Sequence, residues 1–334
     1  MQPITTTIFN NPIYLSVSVL YLFDKIASGG LYNLHGLPLD AKLSELYLLN
    51  NLREKSSLIG IFWMVVTTIF FVGVTIFVKI LGEKIPSSQT AFLRYLFGTI
   101  FLLPIIVNSF RDIQIKLMKK FVLRSFFHAI GVSLWFYSMT VITIAEVTAI
   151  GYLTPIFVCI GAIIIFKESI KGFRAFAITL SFIGAMIILR PGFQEVNLGQ
   201  YSMLLAAFVF SFSYLMVKYL VNTKSSLEIV GFLSLFTTIF LTPLALIHWV
   251  ELNTDQISII ILISIIATLG HLTMTMAIKA TTLTIIQPFT FLQLVWSVIA
   301  GIMLFDEKLD IFVIIGGVII LISTTYLSIK DAKE

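Results

Sequence analysis

LFGTIFLLP fills Leu96–Pro104, and LFTTIFLTP fills Leu235–Pro243. Pro243 follows Pro104 by 139 positions (243 − 104). The same offset holds without gaps well beyond these two stretches. Gly60 meets Gly199, Met64 meets Met203 and Phe71 meets Phe210. Val78 and Lys79 meet Val217 and Lys218, and Ser87 meets Ser226. Toward the end of each unit, Phe166 and Glu168 meet Phe305 and Glu307. Apolar coincidences are common in an apolar chain. Gly, Lys, Pro and Glu coincidences in one register are not, so the chain is read as a tandem duplication.

Composition says what is duplicated. Of 334 residues, 58% are hydrophobic and 12% charged, with mean hydropathy +1.01. A soluble domain is about half apolar and about a quarter charged. Here the charge is too sparse to cover a water-facing surface. Instead, runs of about 20 apolar residues, the length that crosses a bilayer, follow one another. They are read near residues 58–81, 88–109, 121–142, 143–166, 172–189, 199–220, 227–250, 257–280, 281–305 and 311–329. The breaks between them carry turn chemistry or charge, such as GEKIPSSQ at 82–89, KESIKG at 167–172 and VNTKSS at 221–226. The joints at 142/143 and 280/281 are tight enough to require close helical hairpins. Alternating barrel strands are excluded, because the runs are too long and apolar on both faces. The expected fold is all-α, with ten transmembrane helices. The repeats are read as 57–190 and 196–329, with a short tail at 330–334. Residues 1–56 are expected to form an interfacial or loosely ordered cytoplasmic extension. Its apolar stretch IYLSVSVLYLF, 13–23, is short for a span, and no basic segment precedes it as in a signal peptide.

Five spans per unit is an odd number. The second unit must therefore enter the membrane from the opposite side, which makes the repeat inverted. Inverted halves can rock about a shared midplane site. Charge gives an independent check of the count, because cytoplasmic flanks are rich in Lys and Arg. With the N-terminus inside, 15 Lys and Arg flank the inner ends of the spans. Lys79, Lys84, Arg190 and Lys308 are the four at the outer ends. Both termini are accordingly expected in the cytoplasm.

Ionisable groups within a span cost about 2.5–3.5 kcal/mol at the centre on insertion scales, so each needs a reason. Arg94 lies in span 2. It either snorkels to the interface or contacts an anion or partner helix. Glu146, in TIAEVTAIGYLTP (143–155), either caps a helix N-terminus or attracts a cation. Glu168 and Glu307 read as local caps. His128 and His271 are interior hydrogen-bonding residues or proton carriers. Span 9 contains TIIQPFTFLQLVW (284–296), in which Pro288 frees a backbone carbonyl beside Gln287, with Gln293 and Trp296 following. Span 4 offers Tyr152, Thr154 and Pro155 at similar depth. Broken helices of this kind hold substrates in transporters. Trp63, Trp135, Tyr137 and Tyr214 supply either packing or aromatic walls suited to a planar or cationic ligand. No HExxH, GxSxG or GxxxxGK[ST] stretch is present. The single Cys159 builds no metal cluster. The reading calls for no enzyme chemistry, no cofactor and no nucleic-acid partner. Transport would run on a gradient or on exchange. A sensor or scaffold without transport is the reading from another class, and oligomeric state is left open.

Taken together, FLRYLFGTIFLLP in span 2 and YLTPIFVCIGAIIIFKESI matched by FLQLVWSVIAGIMLFDEKL resemble the EamA branch of the drug/metabolite transporter superfamily. That resemblance covers roughly residues 57–329. It implies a central site lined by spans 1, 3, 4, 6, 8 and 9, and it marks Arg94, Glu168 and Glu307 as recurrent positions. Within the family the chain looks most similar to the bacterial inner-membrane transporters that take up S-adenosylmethionine. The implied partner is therefore this or another amino-acid-like metabolite, with exporters of amino acids as the alternative.

Overall fold

The structure is a computed structural model that describes residues 39–111, 113–166, 172–190, 195–220, 223–281 and 283–331. The chain divides into two units, Met1–Glu54 and Lys55–Glu334. Among the described residues every regular element is helical. The elements are α1 Leu39–Leu81, α2 Ser87–Phe110, α3 Ile115–Val141, α4 Ile144–Gly151, α5 Thr154–Phe166 and α6 Gly172–Leu189. The second half runs α7 Leu198–Leu220, α8 Ser226–Ile247, α9 Thr254–Ala280, α10 Leu283–Ile286, a 3₁₀ turn Gln287–Phe291, α11 Leu292–Phe305 and α12 Ile311–Asp331. Residues 1–38, which include the apolar stretch 13–23, lie outside the described residues.

Eight helices among the described residues are long and apolar enough to cross a membrane, and the stretch Phe289–Phe305 is a shorter apolar helix. The tenth segment, α3, is long enough but carries Lys116, Lys119, Lys120, Arg124 and His128. It begins six residues before the expected span. Lysine is a good helix former, so the charged turns at 115–120 continue the helix beyond the apolar run. For the same reason α1 runs unbroken through Asn50–Ser57, ahead of the expected span start at 58. Leu, Arg, Glu and Lys all tolerate a helix, and polarity alone does not end one.

Local chemistry explains the tight joint at 142/143. Ile142 is extended, and Thr143 caps α4: its hydroxyl accepts from Glu146 N–H while Glu146 reaches back to Thr143 N–H. Ser225 with Glu228 starts α8 in the same way, and Asn253 with Gln256 starts α9. Each box satisfies two backbone donors that a helix start leaves unpaired.

Spans 4 and 9 are both broken. Span 4 breaks at Tyr152–Leu153 between α4 and α5, and span 9 passes through the 3₁₀ turn Gln287–Phe291. Tyr152 and Phe291 are in repeat register (152 + 139). The Tyr152 hydroxyl donates to Thr290 C=O at 2.9 Å and accepts from Leu294 N–H at 3.1 Å, tying one break to the other. Thr148 and Ser297 hydroxyls, 2.7 Å apart, join α4 to α11 one turn away.

The contacts obey a two-fold relation between the halves. Thr99 and Thr238, 139 residues apart, face each other at 3.3 Å between α2 and α8. The copied nonapeptides thus meet each other at the pseudo-axis. A Cβ on Gly60 would run into Thr281, and one on its counterpart Gly199 would meet Ile142, which is the counterpart of Thr281. Gly131 packs under the ring of Phe210, and Gly270 under that of Phe71, again an exchanged pair. On α6 and α12, Gly184 and Gly316 each leave no room for a Cβ beside the other's carbonyl. Small residues at a crossing let helix backbones approach closely, a main source of helix association in lipid. Gly60 with Thr281 marks one end of the bundle, where Lys279 Nζ also donates to Lys224 C=O. Gly199 with Ile142 marks the opposite end, because Lys79, nineteen residues along α1 from Gly60, donates to Ile142 C=O. The two repeats therefore start at opposite ends, and the chain is an all-α membrane protein of ten segments in two inverted five-helix repeats.

Candidate substrate site between the repeats

Five helices bring polar and aromatic side chains together at mid-height. On α3, Arg124, His128, Gly131 and Trp135 follow i, i+4, i+7, i+11 and so share one face. Opposite stand Arg94 and Tyr95 on α2, Phe71 on α1, Phe210, Ser213 and Tyr214 on α7, and Thr268 and His271 on α9.

His128 forms the hub. Its Nε2 lies 2.6 Å from the Tyr95 hydroxyl and its Nδ1 3.5 Å from Ser213 Oγ. Its ring is 5.5 Å from that of His271 and 5.1 Å from that of Phe210. The aromatic wall continues from His271 to Phe71 at 5.2 Å, Phe71 to Trp135 at 6.3 Å and Trp135 to Phe210 at 6.2 Å. Since Phe71 and Phe210 are repeat counterparts, both halves contribute to the wall. Tyr214, 36% exposed, directs its hydroxyl toward Met274 Sδ at 3.7 Å, between α7 and α9.

Charge at the cluster is all of one sign. Arg94 is 2% exposed, and its guanidinium lies 3.6 Å from the centre of the Tyr95 ring. Such burial inside the bundle is not the posture of a side chain snorkelling toward lipid headgroups. Arg124 is 4% exposed, with one weak bond of 3.4 Å to Ile229 C=O. Both arginines lie within electrostatic reach of His128 and His271. Among the described residues after 54, every Asp and Glu stands at a helix end or in a connection, and none pairs with these cations.

Of the residues singled out from the sequence, the structure joins Arg94, His128, Trp135, Tyr214 and His271. Tyr152 is engaged in the tie between the two breaks. Trp296 packs with Val72, Ile144 and Ala300, and its indole N–H has no hydrogen-bond partner among the described residues. Gln293 is half-buried on the first turn of α11, and Tyr137 half-buried near the end of α3. Trp63 packs with Met64, Ala277 and Ile286 instead of at the cluster. The side chains of Gln287 and Lys218, and Glu168 as a whole, lie outside the described residues. Glu146 is not brought to the cluster. Its Oε1 accepts from Gln200 Nε2 at 2.7 Å, and Gln200 is ten residues, about 15 Å, along α7 from Phe210. Around it lies a cleft of about 520 Å³ that also includes Arg190, Glu195, Lys308 and Asp310. That end is tied shut. Lys79 pairs with Glu307 and donates to Ile142 C=O at 2.9 Å, while Glu307 accepts from Ile144 N–H and Arg190 pairs with Asp310.

Two groups of participants were not singled out from sequence. Arg124 was grouped with the flanking positives because it lies near one end of a span. Its i, i+4, i+11 relation to His128 and Trp135 was the available signal. Tyr95 and Ser213 carried no signal separating them from ordinary helix residues, and Phe71 and Phe210 stood out only as a pair in the repeat register.

Comparison with known proteins agrees with the duplication. The model of the EamA-like transporter family matches residues 58–190 and 197–329, two blocks that differ by the same 139 positions. The S-adenosylmethionine uptake transporter of Rickettsia prowazekii (strain Madrid E) is 26% identical over 84% of this chain and 96% of its own length. The riboflavin transporter of Vibrio cholerae is 26% identical over 82% of this chain and 94% of its own length. A solved crystal structure shares the fold at TM-score 0.56 and 11% identity, covering 84% of this chain and 98% of that one. Two family matches in the register of the duplication, on an inverted ten-segment bundle, place this chain in the EamA-like transporter family.

Proposed function

We propose that this protein is a secondary transporter that takes up S-adenosylmethionine across the bacterial inner membrane by alternating access, with both termini in the cytoplasm. The observation that carries the reading is the mid-height cluster. Phe71 and Phe210, one from each repeat, flank Trp135, His128 and His271 beside the buried Arg94, which pairs with no acid among the described residues. The ligand has the parts to match. Its adenine stacks against the aromatic wall, and its carboxylate meets Arg94 in a charge-assisted bond. The wall is built from both halves, so rocking one half against the other opens the site to each side in turn. The relatives named for S-adenosylmethionine uptake support this substrate. The orientation rests on the Lys and Arg asymmetry of the span ends.

Uptake of radiolabelled S-adenosylmethionine by cells expressing the protein tests the reading. Accumulation above the vector control is expected. No accumulation, with the protein present in the membrane, overturns the substrate. Uptake of riboflavin in its place would assign the aromatic wall to an uncharged flavin ring.

A further inference from the structure

We propose that Arg94 and Arg124 together form an anion site, and that the transporter recognises its substrate through a carboxylate and not through a positive charge. The inference rests on the reading of the cluster as the substrate site, and it adds a second cation and a selectivity rule to it.

The two guanidinium groups reach the same pair of side chains. Arg94 stacks on Tyr95, whose hydroxyl bonds His128. Arg124 stands one helical turn from His128 on α3, within electrostatic reach of both Tyr95 and Tyr214. A buried charge is normally paired with an opposite charge or saturated with hydrogen bonds. Neither condition holds here. Arg94 makes no hydrogen bond or ion pair among the described residues. Among the described residues the Nε of Arg124 has no partner, and neither do His271 Nδ1 and Thr268 Oγ1 on the facing side of α9. Thr268 also borders Gly98, where even a methyl group would come within 3.1 Å of its hydroxyl. Two buried cations thus lie within electrostatic reach of His271, whose ring nitrogen is unpartnered beside the unpartnered Thr268 hydroxyl, and no carboxylate among the described residues pairs with them. An anionic group on the ligand supplies what is missing, and a guanidinium matches the planar geometry of a carboxylate.

A cationic sulfonium finds no acid at this cluster among the described residues. S-Adenosylhomocysteine, which keeps the carboxylate but lacks the sulfonium charge, is therefore expected to compete with S-adenosylmethionine. The decarboxylated analogue, which keeps the sulfonium, is expected to fail. The test is counterflow in proteoliposomes with labelled S-adenosylmethionine and these two competitors. We expect S-adenosylhomocysteine to inhibit within about threefold of S-adenosylmethionine itself. The decarboxylated analogue should be weaker by about tenfold or more, in line with the loss of one charge-assisted hydrogen bond. Arg124→Gln should raise KM by about tenfold and shrink this preference to under threefold, while Arg124→Lys restores part of it. Equal inhibition by the decarboxylated analogue overturns the proposal without any variant. So does an Arg124→Gln protein that keeps full carboxylate preference. Should S-adenosylmethionine not be carried, thermal stabilisation of the wild-type protein by amino acids against their decarboxylated amines separates the two ideas. Stabilisation by the acids alone, lost in Arg124→Gln, upholds the anion site and discards the substrate. No difference between acid and amine discards the anion site.

Discussion

Both carboxylate oxygens of Glu146 are engaged, Oε2 by the Thr143 N–H and hydroxyl and Oε1 by the Gln200 amide. In sequence this was an acid within an apolar run, equally readable as a cap or as a cation contact, and only the neighbours separate the two. Glutamine at the third helical position still completes a capping box, whereas alanine does not. Glu146→Ala should therefore lower stability by about 0.5–2 kcal/mol in thermal unfolding of the detergent-solubilised protein. Glu146→Gln should stay close to wild type and leave KM within about twofold. A tenfold rise in KM in Glu146→Gln would return this residue to substrate contact. Arg94 shows the same limit in another form. Its sequence position is compatible with snorkelling, and its burial against Tyr95 follows from which helix stands behind it. That is set by the packing of α2 against α3 and α8, which no local pattern records.

The Tyr152 hydroxyl bridges the breaks of spans 4 and 9, and it is the element-scale feature most exposed to a single change. Tyr152→Phe removes one oxygen and leaves Leu294 N–H without this partner, while Thr290 C=O still accepts from Leu292 N–H. An unpaired buried group of this kind costs about 1–3 kcal/mol. A matching loss of thermal stability is expected, and an unchanged melting temperature would show that water fills the gap. The crossing of α6 with α12 responds to volume instead. A methyl group on Gly184 would stand 2.8 Å from Gly316 C=O and 2.7 Å from Ile320. Gly184→Ala should destabilise by about 1–3 kcal/mol, as overpacking does. Ser323→Ala, at the repeat counterpart of Gly184, adds no volume and loses only the bond to Ala177 C=O. It should be the milder change. At this scale the apolar runs and capping residues were legible beforehand, because both are local. Helix ends were not, where charged residues prolong α1 and α3 past the apolar boundary. Pro288 and Pro155 pointed to the broken spans, but the bridge between the breaks needed their meeting in space.

Inversion is the property from which the rest of the molecule follows. It was readable in the 139-residue register and the odd number of spans, and it reappears as exchanged contacts such as Gly131 with Phe210 and Gly270 with Phe71. Topology has a direct check, because Cys159 is the chain's only cysteine and is buried. In a Cys159→Ser background, a cysteine at Lys308 should react with an impermeant maleimide on intact cells. One at Lys330 should react only after permeabilisation, and the reverse pattern would invert the orientation. The central claim is that the mid-height cluster carries S-adenosylmethionine from one side of the membrane to the other. Counterflow measures this directly, in proteoliposomes loaded with unlabelled S-adenosylmethionine and diluted into a trace of labelled substrate. The account predicts a transient internal accumulation of label above equilibrium, abolished in Arg94→Gln while the protein stays folded. Label that never exceeds the protein-free control, from liposomes containing folded wild-type protein, would contradict it.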